Sequence, residues 1–323
     1  MDLVWSTYKD TLDEVEERIR ASIDSKANLI NKVAAYILNS GGKRIRPLLL
    51  IISSQLRSEI DKDQVLLGAG IVEYIHTATL LHDDVLDNAE VRRGISPARV
   101  MWGNHASILV GDYLYTLAVC QGVKMENHEA NYLLSNTCRS MTEGETIQLS
   151  HNNDFNLTEA TYFKIIEYKT ASLISATCRL GAIIANATDK KKEALSSYGR
   201  NLGIAFQVAD DTLDYIADGQ RLGKPLGEDL KGGKITLPLL HLLQHCKEEE
   251  KKWLERLVVD RTFHQEDLER VTDLMKEFGS INYAIQKAQG FADRAKKDLL
   301  IFKSSIHRQS LMTVADYVIQ RDH

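Results

Sequence analysis

Two short acidic segments constrain this chain more than any other feature. Asp83-Asp84-Val85-Leu86-Asp87 ends one long apolar run, and Asp210-Asp211-Thr212-Leu213-Asp214 ends another. Both runs follow the helical period, so the first and last aspartates of each segment should lie one turn apart on one face, about 5–6 Å between β-carbons. Carboxylates held this close repel each other unless a cation lies between them. We refer to the segments as the first and second acidic clusters.

Oxygen ligands at this spacing suit Mg²⁺, which keeps several waters and shares its coordination shell with substrate phosphates. Two clusters that face each other would hold a diphosphate through metal ions. A single cluster could equally be a solvated helix face or a cap. Two nearly identical clusters, each at the end of an apolar helix, favour the metal-binding interpretation.

The rest of the sequence predicts an all-α protein. Only four prolines occur in 323 residues, 44% of the residues are hydrophobic, and long stretches follow the helical period. No linker rich in Pro, Gly or Ser divides the chain, so we predict a single domain over residues 1–323. The net charge of −5 argues against a nucleic-acid partner, since a nucleic-acid binder would have a basic surface.

Cysteine spacing and the N-terminal sequence predict a soluble, cytoplasmic protein. The four cysteines are widely separated and include no CxxC pair, which argues against a zinc site and a disulfide framework. The N-terminus lacks a basic segment followed by an apolar one, so we predict no signal peptide. The apolar run at residues 48–52 is too short to cross a bilayer, and we predict no transmembrane segment.

Positive charge is concentrated in short segments. Lys43-Arg44-Ile45-Arg46-Pro47 precedes an apolar helix, whose N-terminal N–H groups and dipole favour an anion, so it is a candidate phosphate site. Alone, the segment could equally be a basic surface loop. Arg92 and Arg93 follow the first acidic cluster, and guanidinium groups match phosphate oxygens in bidentate fashion. They are a second candidate for anion recognition.

Four further features relate to the acidic clusters. His76 lies seven residues before the first cluster and on nearly the same helix face, which favours ligand binding over a core position. Lys169-Thr170 lies among apolar neighbours, where a lysine either reaches water or meets a buried anion. Gln207 lies three residues before the second cluster. Residues 222–234, rich in Gly and Lys, suit a lid over a polyphosphate, although a flexible surface loop explains them equally well.

These segments together resemble a known family. The ordered set GGKRIRP (41–47), IHTATLLHDDVLD (75–87), RRG (92–94), GDYL (111–114), KT (169–170), FQVADDTLDY (206–215), GKP (223–225) and DLKGGKITLP (229–238) resembles the trans-isoprenyl diphosphate synthases. The resemblance is greatest to the long-chain, octaprenyl-type members and runs from about residue 8 to the C-terminus. It implies an all-helical isoprenoid synthase fold whose helices surround a deep central cavity, usually in a homodimer.

The resemblance also implies a reaction and a cofactor. The reaction is head-to-tail condensation of an allylic diphosphate, farnesyl or geranylgeranyl, with successive isopentenyl diphosphates. The product would be a long all-trans polyprenyl diphosphate that seeks a membrane and serves as a quinone side chain. The cofactor would be Mg²⁺, two or three ions bound together with the diphosphate.

Site residues follow from the same resemblance. The metal ligands would be Asp83, Asp87 and Asp210. The catalytic set would comprise these three together with Asp84, Asp211, Asp214, Lys169 and Lys224. The allylic diphosphate would be held by Arg92, Lys169, Thr170, Gln207, Lys224 and Lys234. Isopentenyl diphosphate would be held by Lys43, Arg46, His76 and Arg93.

Two small residues before the first cluster imply a long product. In this family the residues four and five places before the cluster, here Thr79 and Ala78, help set the space open to the growing tail. Short-chain members tend to have aromatic residues there. An ideal helix places Thr79 near the face of Asp83 but turns Ala78 away from it, so periodicity alone does not assign a role to Ala78.

Several alternatives are less well supported by the sequence. A shorter-chain farnesyl or geranylgeranyl diphosphate synthase would keep every motif. A non-catalytic subunit of a heteromeric synthase should have degraded acidic clusters, and both are intact here. A class I terpene cyclase would need neither the segment 41–47 nor a second complete DDxxD. A purely structural helical protein has no reason to place carboxylates and cations in reciprocal positions.

Overall fold

The protein is built almost entirely of helices. A computed structural model describes residues 1–56, 60–92, 94–216, 227–260 and 264–320. Within these ranges there is no β-strand, only an isolated backbone bridge between Arg92 and Ile95. The predicted all-α class is therefore confirmed.

The helices before residue 217 are α1 (Asp2–Ala21), α2 (Asn28–Asn39), α3 (Ile45–Ser54), α4 (Lys62–Leu86), α5 (Ala98–Trp102), α6 (Asn104–Lys124), α7 (His128–Ser150), α8 (Glu159–Ile166), α9 (Ser172–Ile184) and α10 (Asp189–Ile216). Those after residue 226 are α11 (Glu228–Lys231), α12 (Leu237–His245), α13 (Glu248–Asp260), α14 (Gln265–Glu277), α15 (Ser280–Asp298) and α16 (Ile306–Ile319). A π-helical turn, Glu167–Ala171, joins α8 to α9, and a 3-10 turn, Leu299–Ile301, follows α15.

Side-chain caps fix the start of two helices that carry candidate site residues. The Asp61 carboxylate accepts a hydrogen bond from the Gln64 N–H at 3.2 Å, at the start of α4. The Thr158 hydroxyl accepts one from the Thr161 N–H at 3.1 Å, at the start of α8. Such oxygens satisfy N–H groups that have no partner inside the helix. α4 leads to the first acidic cluster, and α8 leads to Lys169.

Backbone contacts group the chain into two compact units, each made of non-consecutive segments. The first unit comprises Met1–Cys138, Leu173–Gly199 and Asp298–Val314. The second comprises Arg139–Ser172, Arg200–Lys297 and Ala315–His323. The single domain over residues 1–323 stays a prediction.

α4 is a largely buried helix of the first unit. Ile71, Val72, Ala78 and Leu81 have no exposed surface, and the helix packs against α1, α3 and α6. Burying a side chain such as that of Ile71 contributes roughly 1.5–3 kcal/mol to the stability of the fold. The first acidic cluster therefore extends from a helix whose position is fixed by packing.

α4 and α6 are long and apolar enough to cross a membrane, by length and composition alone. The apolar window of α4 is 78% buried inside the protein, as in a core helix, whereas that of α6 is 39% buried. The absence of a transmembrane segment stays a prediction.

The second unit has its own apolar core, which includes residues from α8, α10, α12, α14 and α15. Val208, Leu237 and Val271 have no exposed surface. Tyr162 and Tyr215 also enter this core, and each hydroxyl has a hydrogen-bond partner there. A buried tyrosine hydroxyl needs such a partner, so polar groups are built into this core.

Candidate active site

The first acidic cluster lies at the C-terminal end of α4. Asp83 and Asp84 occupy the last turn, and Asp87 directly follows the helix. The Asp87 N–H donates to the Asp83 carbonyl at 2.8 Å, so the helical spacing of one turn predicted from the sequence is present. Asp83 is half-buried and Asp87 is exposed, which leaves both predicted metal ligands open to solvent.

Asp84 has a different environment from its neighbours. It is fully buried and accepts a hydrogen bond from the Arg92 guanidinium at 2.5 Å. Burial raises the pKa of Asp84, and the Arg92 charge opposes that rise. Its second oxygen, Oδ2, is buried without a hydrogen-bond partner among the described residues. Asp84 therefore positions Arg92, a residue predicted to bind the allylic diphosphate.

His82 fastens the acidic end of α4 to α6. Its Nε2 lies 3.1 Å from the Ile108 carbonyl oxygen and 3.4 Å from the Asp112 carboxylate. The ring lies directly against Gly111, where a Cβ would overlap it. The GDYL segment therefore has a structural purpose, because its glycine lets α6 approach the helix that carries the first cluster.

The residues predicted to hold isopentenyl diphosphate lie in the first unit, with one exception. Lys43 is exposed just before α3, and His76 is half-buried in α4, two turns before the first cluster. Arg46 is half-buried in the first turn of α3 rather than before the helix, because α3 begins at Ile45 and not at the proline. Arg93 lies outside the described residues.

The prediction that all three cations of the segment 43–47 are available to one phosphate is wrong for Arg44. Its guanidinium pairs with Glu16 and, at 2.6 Å, with Glu73, and it donates to the Leu38 carbonyl at 2.6 Å. Only 15% of this side chain is exposed, so an external phosphate would have to displace two carboxylates. Arg44 is a structural cation that ties α1, α2 and α4 to the start of α3, and two cations of the segment remain candidates.

The second acidic cluster lies in the last two turns of α10. Asp210 is half-buried, whereas Asp211 and Asp214 are buried. The Asp214 carboxylate accepts a hydrogen bond from the Asp229 N–H at 3.1 Å. It therefore holds the start of the segment that carries Lys234.

Asp211 is held by two donors. The Tyr162 hydroxyl donates to it at 2.6 Å and the Gln207 amide at 2.7 Å. The Thr170 hydroxyl donates to the Gln207 carbonyl at 2.9 Å, which fixes the orientation of that amide. Burial raises the pKa of Asp211 to about 8, the charge of Asp229 adds to the rise, and the two donors oppose it.

Lys169 and Thr170 lie in the π-helical turn, which the sequence did not predict. Such one-turn bulges occur frequently at functional sites. The Lys169 ammonium lies 2.5 Å from the Glu145 carboxylate of α7, with both side chains largely buried. Gly144 permits this approach, since a Cβ there would lie 2.6 Å from the Lys169 backbone nitrogen. Of the two alternatives for Lys169, the structure shows the buried anion, and that anion belongs to the protein.

One cavity of about 100 Å³ in the second unit brings four of the predicted allylic-site residues together. Its polar lining is Lys169, Thr170, Gln207, Lys234, Gln148, His151, Asn152, Tyr162, Asp211, Asp229 and Thr236. We call it the Lys169 cavity. Of the remaining predicted allylic-site residues, Arg92 belongs to the first unit and Lys224 lies outside the described residues.

Several polar groups of these two sites were missed from the sequence: Glu145, Tyr162, Asp229 and His82. A signal existed for Tyr162, which precedes Lys169 by seven residues and would share its face on a regular helix. Glu145 also had a signal, because it follows a glycine inside a helix, and such a glycine indicates close approach of another backbone. Asp229 belongs to the quoted segment 229–238, but its contact with Asp214 could not be foreseen, because that backbone bond depends on tertiary structure.

The carboxylates of the clusters fit Mg²⁺ bound together with a phosphate ligand. Among the described side chains, no group of three or more His, Cys, Asp or Glu residues could hold a metal ion by itself. Mg²⁺ normally takes one or two carboxylates and completes its shell with water and substrate phosphate. The buried Asp84 Oδ2 lacks a donor, and a nearby cation or its water would relieve that deficit.

Comparison with known proteins decides the family. The polyprenyl synthetase profile matches residues 27–275. The chain belongs to the polyprenyl synthetase family. It is 38% identical to the octaprenyl diphosphate synthase of Escherichia coli (strain K12), over 95% of each protein. It is 33% identical to the geranylgeranyl diphosphate synthase of Saccharolobus solfataricus, over 97% of each.

Solved structures agree with this family membership. The polyprenyl synthase of Caulobacter crescentus, crystallised with calcium and isoprenyl diphosphate, matches with a TM-score of 0.95 at 37% identity, covering 100% of this chain and 98% of that one. The isoprenoid synthase fold is thereby confirmed. The chain is an enzyme, a prenyltransferase of the trans-prenyl diphosphate synthase type, in a family that uses divalent metal ions.

Proposed function

We propose that the chain extends farnesyl or geranylgeranyl diphosphate with successive isopentenyl diphosphates to a long all-trans polyprenyl diphosphate, using Mg²⁺. The feature that carries the long product is the methyl side chain of Ala78, five residues before Asp83, at a position where short-chain members of the family tend to have aromatic residues. The octaprenyl relatives support the same product class. The geranylgeranyl relatives, at 33% identity, keep a shorter product as the second candidate.

The Lys169 cavity, of about 100 Å³, is the proposed site for the diphosphate group of the allylic substrate. Lys169, Lys234, Thr170 and Gln207 supply ammonium, hydroxyl and amide donors around one space. In the free protein Lys169 is neutralised by Glu145, and the Lys234 ammonium lies 4.0 Å from the Asp229 carboxylate. These carboxylates keep the ammonium groups in place, because a largely buried charge without a partner is costly.

The chemistry of this site is stabilisation of a leaving group. Cleavage of the allylic C–O bond gives a delocalised carbocation and a diphosphate on which negative charge grows. Donors that are already oriented in a site of low dielectric constant stabilise such charge without reorganisation. Bound Mg²⁺ would add positive charge at the same diphosphate, with Asp83, Asp87 and Asp210 as its proposed ligands.

The second substrate completes the reaction. Lys43, Arg46 and His76 are the described candidates for holding isopentenyl diphosphate, whose double bond attacks the carbocation. Loss of a proton, to the departing pyrophosphate, then regenerates an allylic diphosphate for the next cycle. No dedicated general base is assigned, because pyrophosphate itself can accept the proton.

A homodimer with α6 in its interface is part of this proposal. Leu109, Val119 and Val123 on α6 are 63%, 64% and 65% exposed in the single chain. A contiguous exposed apolar patch marks an interaction site, and we propose that these three side chains form one. Val119→Glu should dissociate the dimer in sedimentation velocity, whereas Leu3→Glu, at an exposed leucine of α1, should not.

We further propose that the enzyme acts in the cytoplasm and releases a membrane-seeking product.

Product sizing tests the proposed reaction. Purified protein incubated with Mg²⁺, labelled isopentenyl diphosphate and farnesyl diphosphate should give products longer than geranylgeranyl diphosphate on reversed-phase separation. Ala78→Phe should shorten them. Ala69→Phe, an equally buried position on α4 farther from the cluster, should overpack the core without changing product length. Unchanged products from Ala78→Phe would remove this residue from the argument, and parent products no longer than geranylgeranyl diphosphate would favour the second candidate.

A further inference from the structure

The first unit contains a cavity that shares no residue with the Lys169 cavity. It measures about 240 Å³ and lies where the end of α3, the α9–α10 connection, the start of α10 and Phe302 meet. We call it the Ser53 cavity. Its volume exceeds the roughly 150 Å³ of an apolar cavity that holds benzene, so a molecule somewhat larger than benzene fits.

The wall of the Ser53 cavity is largely apolar. Leu56, Ala185, Ala187, Leu195 and Phe302 line it. Leu195 and Phe302 are only 1% and 5% exposed, so their positions are fixed by the surrounding core. This part of the lining suits a short hydrocarbon group.

Ser53 places one polar atom in this lining. The residue is 1% exposed, and its Oγ has no nitrogen or oxygen hydrogen-bond partner. Among the described residues the Cys178 thiol, a weak hydrogen-bonding group, is the partner of this hydroxyl.

Lys191 supplies positive charge to the same cavity. Its ammonium lies 5.9 Å from the centre of the Phe302 ring and pairs with no carboxylate among the described residues. The adjacent Lys192 differs, because its ammonium lies 2.5 Å from Glu129 and 3.5 Å from Asp189. Lys191 also lies in the first turn of α10, a long helix whose N-terminal dipole favours an anion.

We propose that the Ser53 cavity binds a small amphipathic anion, a short hydrocarbon with one terminal carboxylate or phosphate. The hydrocarbon would contact Leu56, Leu195 and Phe302. The anionic group would meet the Lys191 ammonium. This site is independent of the prenyl-transfer reaction proposed above, so it stands or fails separately.

Ligand-observed NMR titration of the full-length protein tests the site with four probes: hexanoate, hexyl phosphate, hexanol and inorganic phosphate. The two amphipathic anions should saturate, and the tighter of them identifies the preferred anionic group. Hexanol and inorganic phosphate should each bind about tenfold more weakly or worse, because each lacks one half of the ligand. Equal binding of hexanol and hexanoate would overturn the proposal, as would the absence of saturable binding of both anions at millimolar concentration.

Substitutions distinguish binding in the Ser53 cavity from general attraction of anions to the protein surface. Lys191→Gln should weaken hexanoate binding about tenfold, the loss expected for one charge-assisted bond. Lys190→Gln removes the same charge from the exposed neighbouring position and should leave binding unchanged. Ala187→Leu should fill part of the cavity and weaken both amphipathic anions without lowering the melting temperature. Equal effects of the two lysine variants, or unaltered binding by Ala187→Leu, would contradict the assignment.

Discussion

Replacing Tyr162 with phenylalanine should change the acid–base behaviour of the second cluster. The Tyr162 hydroxyl donates to the buried Asp211 carboxylate at 2.6 Å. This bond favours the ionised carboxylate, and it opposes the burial that raises the pKa of Asp211 to about 8. Tyr162→Phe removes only that hydroxyl and keeps the ring that packs in the core.

The magnitude follows from the difference between two hydrogen bonds. A bond to an ionised group contributes about 1.5–3 kcal/mol and a bond to a neutral group about 0.5–1.5 kcal/mol. The hydroxyl therefore favours the ionised form by about 1–1.5 kcal/mol, which corresponds to roughly one pH unit. Losing it should raise the pKa of Asp211 further by about that amount, and the ionised fraction below that pKa should fall about tenfold.

The pH dependence of kcat/KM is the assay, with labelled isopentenyl diphosphate and constant Mg²⁺ between mildly acidic and alkaline pH. The acidic limb of the Tyr162→Phe profile should move about one pH unit toward alkaline pH, because proposed metal binding beside Asp211 requires ionised carboxylates. Tyr198→Phe is the matched control. Its hydroxyl is also buried but donates to the Leu311 carbonyl at 2.8 Å, so stability should fall without a pH shift.

Superimposable profiles for Tyr162→Phe and the parent would refute this reasoning. The same would hold if Tyr198→Phe moved the profile equally, since the effect would then report general loosening of the fold.

Two further predictions concern stability. Gly111→Ala should destabilise the protein by about 1–3 kcal/mol in urea denaturation and reduce turnover, because the added methyl group overlaps His82. Gly290→Ala, in an exposed helical turn with open space around it, should instead stabilise the protein by about 0.5–1 kcal/mol. Equal changes in the stability of the two variants would contradict the proposed overlap with His82. In metal-free buffer, the unfolding free energy should fall as pH rises from about 4 to about 8. Asp211, whose pKa is raised from 3.8 to about 8, stays protonated in the folded protein across that interval while the unfolded chain releases the proton. An unfolding free energy that rises with pH over this interval would show that Asp211 does not dominate the pH dependence of stability.

Sequence reasoning succeeded where the determining interactions are local. The one-turn spacing between Asp83 and Asp87 depends on the helical period, and it is present as a backbone bond of 2.8 Å. Helix α8 likewise begins directly after Thr158, whose hydroxyl caps it through an equally local interaction. Such features are encoded within one or two turns of the chain.

Partners distant in sequence account for what was missed. Tyr162 and Asp211 are 49 positions apart, and Arg44 meets Glu16 and Glu73 across 28 and 29 positions. Periodicity carries no information about such pairs. The sequence therefore indicated cations and carboxylates without distinguishing those bonded inside the protein from those open to a ligand.

The aspartates within each cluster illustrate the same limit. Asp83 and Asp84 are the same residue type in the same motif, so the sequence does not show how their environments differ. In the structure Asp84 is buried against Arg92, whereas Asp83 is half-buried. The π-helical turn at Lys169 lies directly against Gly144 of α7, a contact that periodicity does not show. The roles assigned to individual residues stay predictions, although four of the proposed diphosphate ligands line one cavity.

Mg²⁺-dependent turnover of a double variant, Asp83→Asn with Asp210→Asn, tests whether both acidic clusters take part in catalysis. The measurement is incorporation of labelled isopentenyl diphosphate into extended product, with melting temperature as the check on folding and Asp13→Asn, at an exposed position of α1, as the control. We expect turnover to fall by at least about 10²–10³-fold in the double variant, since negative charge on the leaving group would go uncompensated. Full turnover by the folded double variant, or turnover by the parent that persists in excess chelator, would contradict it.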